Sequence, residues 1–227
     1  IQEIIRGSRE LSDAFDRCRE HLRSNDVDLG TEQAVAGPWV TLDPAEERYG
    51  ITAASAVVVE SGKVVYVSHN AGGLYCVGSV SKSFVAALAL KLAEEGALGL
   101  DDTIGRYLPD FPHWNRDIIT LRDLLSMRSG IGDYTKGFES ADYFKEYTQD
   151  ELIKRGMRHS ALLSRGDFVY SNTNILIARQ MIEAATGRGC EELIREKILV
   201  PMKLKNTYFS EEKEAIRSKL VPGYAQI

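Results

Sequence analysis

The chain has 227 residues, with 44% apolar and 27% charged side chains, the composition of a soluble globular protein. Its net charge of −5 favours solubility and gives no reason to expect nucleic acid or an anionic membrane as partner. No apolar run approaches the ~20 residues a membrane span needs, and Ile1–Glu10 lacks the basic-then-apolar order of a signal peptide.

In chain order, residues 1–24 read as an amphipathic helix, because Leu11, Phe15, Cys18 and Leu22 recur at spacings of three and four. Residues 25–50, with Gly30, Gly37, Pro38, Pro44 and Gly50, read as a loop or extended arm. Residues 54–69 predict a β-hairpin: two runs rich in β-branched and aromatic residues flank the turn Ser61-Gly62. A helix follows from Ser79 to Glu95, with Phe84, Leu88 and Leu92 on one face and Gly96 at its stop. Residues 101–165 alternate helices and loops, with capping boxes at Thr120–Asp123 and Thr148–Glu151. Gly156 reads as a helix stop. Further helices are expected at 173–185, with Ile175, Ala178, Ile182 and Ala185 inward, and at 190–199 before Pro201. Two strands alone are marginal in water. Residues 25–50 and 205–227 do not read as strands, so the sheet is expected to be incomplete in this chain.

Cys18, Cys76 and Cys190 include no CxxC pair and read as isolated thiols, with one bridge left open, so they do not decide the compartment. Asp101-Asp102 reads as a helix or turn start. No metal and no cofactor are expected.

Two segments carry chemistry. Gly78-Ser79-Val80-Ser81-Lys82 opens a helix and puts Lys82 one turn after Ser79 on the same face. A serine hydroxyl is a weak nucleophile until a neighbour takes or polarises its proton, and a lysine within reach can do so. The Ser79 N–H, at a helix start, can donate to an oxyanion. Taken alone, Ser-x-x-Lys is more often a helix start with a solvated lysine. The second segment, Phe168-Val-Tyr170-Ser171-Asn172-Thr-Asn174, precedes a helix and sets a proton-relaying phenol beside two amides. Alone, it reads as a core-edge tyrosine with Asn172 as a helix cap.

Together these segments resemble the serine β-lactamase and penicillin-binding protein superfamily, in its class C β-lactamase-like branch. The resemblance runs from about Ala54 to Gly223 and continues through Leu92–Asp102, Tyr107-Leu-Pro109, Thr120–Leu125, Ser129-Gly130, Ile182–Gly187, Pro201-Met202 and Asn206–Phe209. It implies an α/β (α+β) fold, an antiparallel sheet flanked by helices plus an all-helical subdomain. The division expected is 1–50 as N-terminal helix and arm, and 51–100 as hairpin and nucleophile helix. Residues 101–200 would form a mostly helical part carrying Tyr170, and 201–227 the start of the return to the α/β part.

The resemblance also implies an acyl-enzyme on Ser79, with Lys82 and Tyr170 jointly handling the proton. Asn172 would orient the substrate amide, and Lys82 is expected to be buried against Ser79, Tyr170 and Asn172. The activity implied is that of a serine hydrolase acting on a β-lactam, a D-amino peptide or an ester. The alternative is a non-catalytic penicillin-recognising or scaffold module. An extracytoplasmic location follows from the resemblance only.

The family usually has His where Met127 stands and Gly where Lys203 stands. Both departures are expected to affect packing more than chemistry. The family's third motif, Lys or His then any residue then Gly, has no counterpart after Tyr170. It is expected on a segment beyond Ile227, cleaved or contributed by another chain, and residues 1–227 alone are expected not to turn over substrate.

Overall fold

A computed structural model of the chain describes residues 57–60, 63–67, 73–113, 115–139, 142, 145–160 and 164–221. The expected helix at 1–24 with Cys18, the arm at 25–50 and residues 222–227 lie outside the described residues. The described residues fall into two compact units. One holds the hairpin with 73–75 and 218–221, and the other holds Cys76–Arg217.

In the first unit, β1 (Val57–Glu60) and β2 (Lys63–Val67) pair antiparallel. Val58 faces Tyr66 but Val59 faces Val64, so Val65 is an extra residue that bulges the second strand. Leu74 makes a parallel bridge to Leu220, with Leu74 N–H donating to the Lys219 carbonyl at 2.9 Å and Val221 N–H to the Leu74 carbonyl at 2.8 Å. Among the described residues the regular sheet is this one pair of strands.

The second unit is helical. A 3₁₀ turn at Gly78–Val80 leads into α1 (Ser81–Glu94). Gly96, with φ 75°, closes α1 in a Schellman motif, in which Ala97 N–H reaches the Leu92 carbonyl at 2.9 Å. Short helices α2 (Ile104–Tyr107) and α3 (Leu121–Leu125) follow, then α4 (Gln149–Arg158) and α5 (Asn172–Thr186). Next is α6 (Cys190–Ile194), continued by a π turn at Arg195–Leu199, and then α7 (Lys213–Ile216). Both capping boxes form: Thr120 pairs reciprocally with Asp123, and Thr148 with Glu151. Each ties down N–H groups that a helix start leaves unbonded. No described helix is long and apolar enough to cross a membrane.

Helix α5 is central and touches α1, α2, α3, α4 and α6. Its buried stripe is Asn174, Ile177, Ala178, Met181 and Ile182, all at 0% exposure, while Ile175 and Ala185 are only partly covered. The stripe is broader than expected and turned to one side, because several helices surround it. Leu88 and Leu92 of α1 bury against the same core. Each such side chain contributes about 1.5–3 kcal/mol.

Gly156 does not stop a helix. It lies inside α4, which runs on to Arg158. A Cβ on Gly156 would sit 2.2 Å from Thr173 Oγ1 and 2.7 Å from the Gly132 carbonyl oxygen. The residue is glycine because two other segments approach the helix backbone there.

Met127 and Lys203 are the non-glycine residues with positive φ among the described residues, at 60° and 56°. Each sits just past a helix end. Arg128 N–H bonds the Asp123 carbonyl at 2.8 Å, and Leu204 N–H bonds the Leu199 carbonyl at 2.8 Å. Both are Schellman closures, whose left-handed position normally favours glycine.

Candidate active site

Ser79 is the middle residue of the 3₁₀ turn and is exposed. The turn is entered through Gly78, at φ 50°, a left-handed value that costs glycine little. In a 3₁₀ turn the side chains at i and i+3 eclipse. This puts Lys82, the second residue of α1, over the serine, with Lys82 Nζ donating to Ser79 Oγ at 2.9 Å. Lys82 is half-buried, less than expected, and its ammonium lies 5.1 Å from the centre of the Tyr170 ring.

Tyr170 comes from the extended stretch before α5. That stretch is held by Gly166 N–H to the Arg128 carbonyl at 2.8 Å and Val169 N–H to the Met127 carbonyl at 2.9 Å. The Tyr170 hydroxyl donates to Ser79 Oγ at 2.8 Å. The Lys82 ammonium and the bond to Ser79 hold the phenol below its ordinary range, while the Asp133 charge pushes it upward. A phenol eased in this way can lose its proton, and the same contact then runs in reverse, with Ser79 donating to the phenolate.

Asn172 does not act as a side-chain cap. It is the first residue of α5, and Ser171 stands at the N-cap position. Its side-chain nitrogen donates to both carboxylate oxygens of Asp133, at 3.1 and 3.0 Å, and its backbone N–H reaches the same carboxylate at 3.2 Å. The second amide of the motif, Asn174, is not in the site. It is fully buried, accepts from Ser129 Oγ at 2.7 Å and donates to Met127 Sδ at 3.7 Å. It ties the departure at Met127 to the core beneath the site.

Sequence reasoning therefore brought Ser79, Lys82 and Tyr170 to one point and missed Asp133. The one local signal for Asp133 was its turn chemistry: it accepts from Thr135 N–H at 3.2 Å and Thr135 Oγ1 at 2.9 Å, an Asx-turn pattern. The Asp101-Asp102 pair serves the scaffold. Asp101 pairs with Arg122, and Asp102 accepts from Gly99 N–H at 2.6 Å and Tyr107 at 2.7 Å. Cys76 and Cys190 are free thiols, and burial pushes the Cys190 thiol up to about 12.

The family model Beta-lactamase matches residues 32–220. A D-stereospecific amidohydrolase from Streptomyces sp. is 33% identical, covering 59% of this chain and 44% of that one, with a TM-score of 0.53. The teichoic acid D-alanine hydrolase of Staphylococcus aureus is 29% identical, over 67% of this chain and 36% of its own length. The octameric penicillin-binding protein homologue from Pyrococcus abyssi is 27% identical, covering 81% of this chain and 46% of that one, with a TM-score of 0.68. The chain spans 36–41% of the length of the curated relatives it matches.

Proposed function

The chain belongs to the Beta-lactamase family, and from that premise we propose that it carries the nucleophile half of a serine hydrolase working through an acyl-enzyme on Ser79. One observation carries the reading: Ser79 Oγ lies within hydrogen-bond distance of both Lys82 Nζ and Tyr170 Oη. Ser79 Oγ attacks the substrate carbonyl, its proton passing to the Tyr170–Lys82 pair. The C–O or C–N bond to the leaving group then breaks, and that group departs with the proton. Water, activated by the same pair, splits the ester and returns the serine. Val80 N–H is bonded to the Val77 carbonyl and Ser81 N–H to the Gly78 carbonyl, so the donor we assign to the charge that develops on the carbonyl oxygen is the Ser79 N–H.

For the substrate we favour an acyl group of D-configuration, as an ester or amide. The support is in the names of two relatives, a D-alanine hydrolase and a D-stereospecific amidohydrolase. The test is to treat the native protein with a fluorescent penicillin and a serine-directed phosphonate, digest it and locate the label. Mass on the Ser79 peptide, loss of label in Ser79→Ala, and release of product from D- but not L-alanyl esters are expected. Label on Ser81 or Ser83 would overturn the nucleophile. Acylation without release would turn the reading into a penicillin-recognising module that does not turn over.

A further inference from the structure

Of the two non-glycine residues at positive φ among the described residues, one uses its side chain inside the protein and one does not. Met127 is buried, and its Sδ accepts from Asn174 at 3.7 Å. Lys203, at φ 56°, is exposed, and its ammonium makes no ion pair or hydrogen bond among the described residues. Glycine would fill this Schellman position with less strain, so the fold itself gives no reason for a lysine there. Strain of this kind is kept where the side chain has a use.

Lys203 closes an apolar tip. Ile198 and Leu199 are buried, but Val200 and Met202 stand 67% and 65% exposed, with Pro201 exposed between them. The backbone fixes this tip. Met202 N–H donates to the Ile198 carbonyl at 3.0 Å, Lys203 N–H to the Val200 carbonyl at 3.0 Å, and Leu204 N–H to the Leu199 carbonyl at 2.8 Å. Lys205 follows, also exposed and also without a partner for its ammonium among the described residues. Residues 197–210 carry three lysines and no carboxylate. The adjoining acids are engaged: Glu95 accepts from Lys197 Nζ at 2.7 Å, and Glu196 pairs with Arg188.

We propose that the tip Val200–Lys205 docks the protein on an anionic lipid surface, with Val200, Pro201 and Met202 entering the headgroup region and Lys203 and Lys205 meeting the phosphates. An apolar point flanked by ammonium groups complements negative headgroups lying over hydrocarbon. A second copy docked tip to tip would bring lysine against lysine. The chain as a whole carries −5, so the attraction is local and acts within a Debye length, about 10 Å at 0.1 M salt. Lys197 ties the tip to Glu95, just past the end of α1, while Ser79 precedes its start. A helix of 14 residues is about 20 Å long, so the docked tip stays clear of the serine.

The test mixes the full chain with sedimentable vesicles of phosphatidylcholine, with and without phosphatidylglycerol, and reads the bound fraction. Binding at about millimolar lipid is expected only with phosphatidylglycerol, with release at about 0.5 M NaCl. Lys203→Gly should weaken binding about fivefold, the scale of one lysine at such a surface. The same variant relieves strain and should raise Tm, so unfolding cannot be the cause of that loss. Lys203→Gln with Lys205→Gln should weaken binding about 30-fold, and Met202→Gln at least about tenfold. Equal binding to both kinds of vesicle, binding to neither, or tip variants that bind like the native protein would overturn the inference. So would sedimentation velocity showing a native dimer that Met202→Gln splits, since the tip would then be a contact between copies.

Discussion

Replacing Gly156 by alanine sets two effects of opposite sign against each other. Glycine inside a helix costs about 1 kcal/mol relative to alanine, so α4 by itself would gain that much. Against this, the new Cβ meets Thr173 Oγ1 at 2.2 Å, the Gly132 carbonyl at 2.7 Å and Thr173 Cγ2 at 2.8 Å. Thr173 is fully buried and cannot swing into solvent, and the Gly132 contact is backbone. Overpacking of this kind costs about 1–3 kcal/mol. Displacing Thr173 also breaks its bond from Tyr134 N–H, adding about 1–3 kcal/mol for a partly buried donor left unpaired. The net expectation is a destabilisation of about 1–5 kcal/mol, since the packing and hydrogen-bond losses exceed the helix gain. At about 2–4 °C per kcal/mol for a chain of this size, Tm should fall well outside measurement error. The wedge lies one residue from Asn172 and one from Asp133, so Ser79 acylation should slow on the order of 10²-fold, the effect of a displacement of about 1 Å in a site. Adding Thr173→Ala removes the atom struck first, so the double variant should be less damaged than the two single losses summed. Urea midpoints and labelling rates measure both effects. A raised midpoint with unchanged acylation would show that Gly156 is an ordinary helix glycine and would refute the close-approach argument.

Lys82→Ala and Tyr170→Phe should each slow acylation about 10²–10⁴-fold, and the double variant should be little worse than the poorer single, because both act on one proton. Losses that multiply cleanly in rapid-mixing assays would mean the two side chains work independently. The acylation rate should rise with pH as Tyr170 loses its proton, and it should level off below the ordinary phenol range of about 10, because Lys82 and Ser79 favour the deprotonated form. Lys82→Met should move that rise to higher pH, and an unmoved profile would remove Lys82 as its cause. Lys203→Gly should stabilise the chain by about 0.5–1 kcal/mol. A left-handed non-glycine residue costs about 1–2 kcal/mol, and the flexibility glycine adds to the unfolded chain takes back part of the gain. Lys203 is exposed at φ 56°, so a thermal melt should register this as a higher Tm with the Ser79 labelling rate unchanged.

What the sequence decided by itself is whatever acts within one helical turn. The spacing of Ser79 and Lys82 puts their side chains together whichever helix carries them, and the reciprocal bonds of Thr120 with Asp123 and Thr148 with Glu151 need only three residues. The strand pair Val57–Glu60 and Lys63–Val67 was legible for the same reason, since two β-branched runs flank one tight turn. Tyr170 was legible only through the resemblance, because its partner Ser79 is 91 positions away and no local pattern closes that distance. Tertiary structure alone decided the rest. Asp133 reaches Asn172 across 39 positions, and nothing about an aspartate in a turn says which amide it will hold. Asn174 shares a motif with Tyr170 yet faces the core, because α5 turns it toward Ser129. Gly156 resembled a helix stop because glycine has two uses in a helix, ending it or letting another backbone come close. Sequence shows the missing Cβ in both cases, and only the packed neighbours Thr173 and Gly132 tell which use applies.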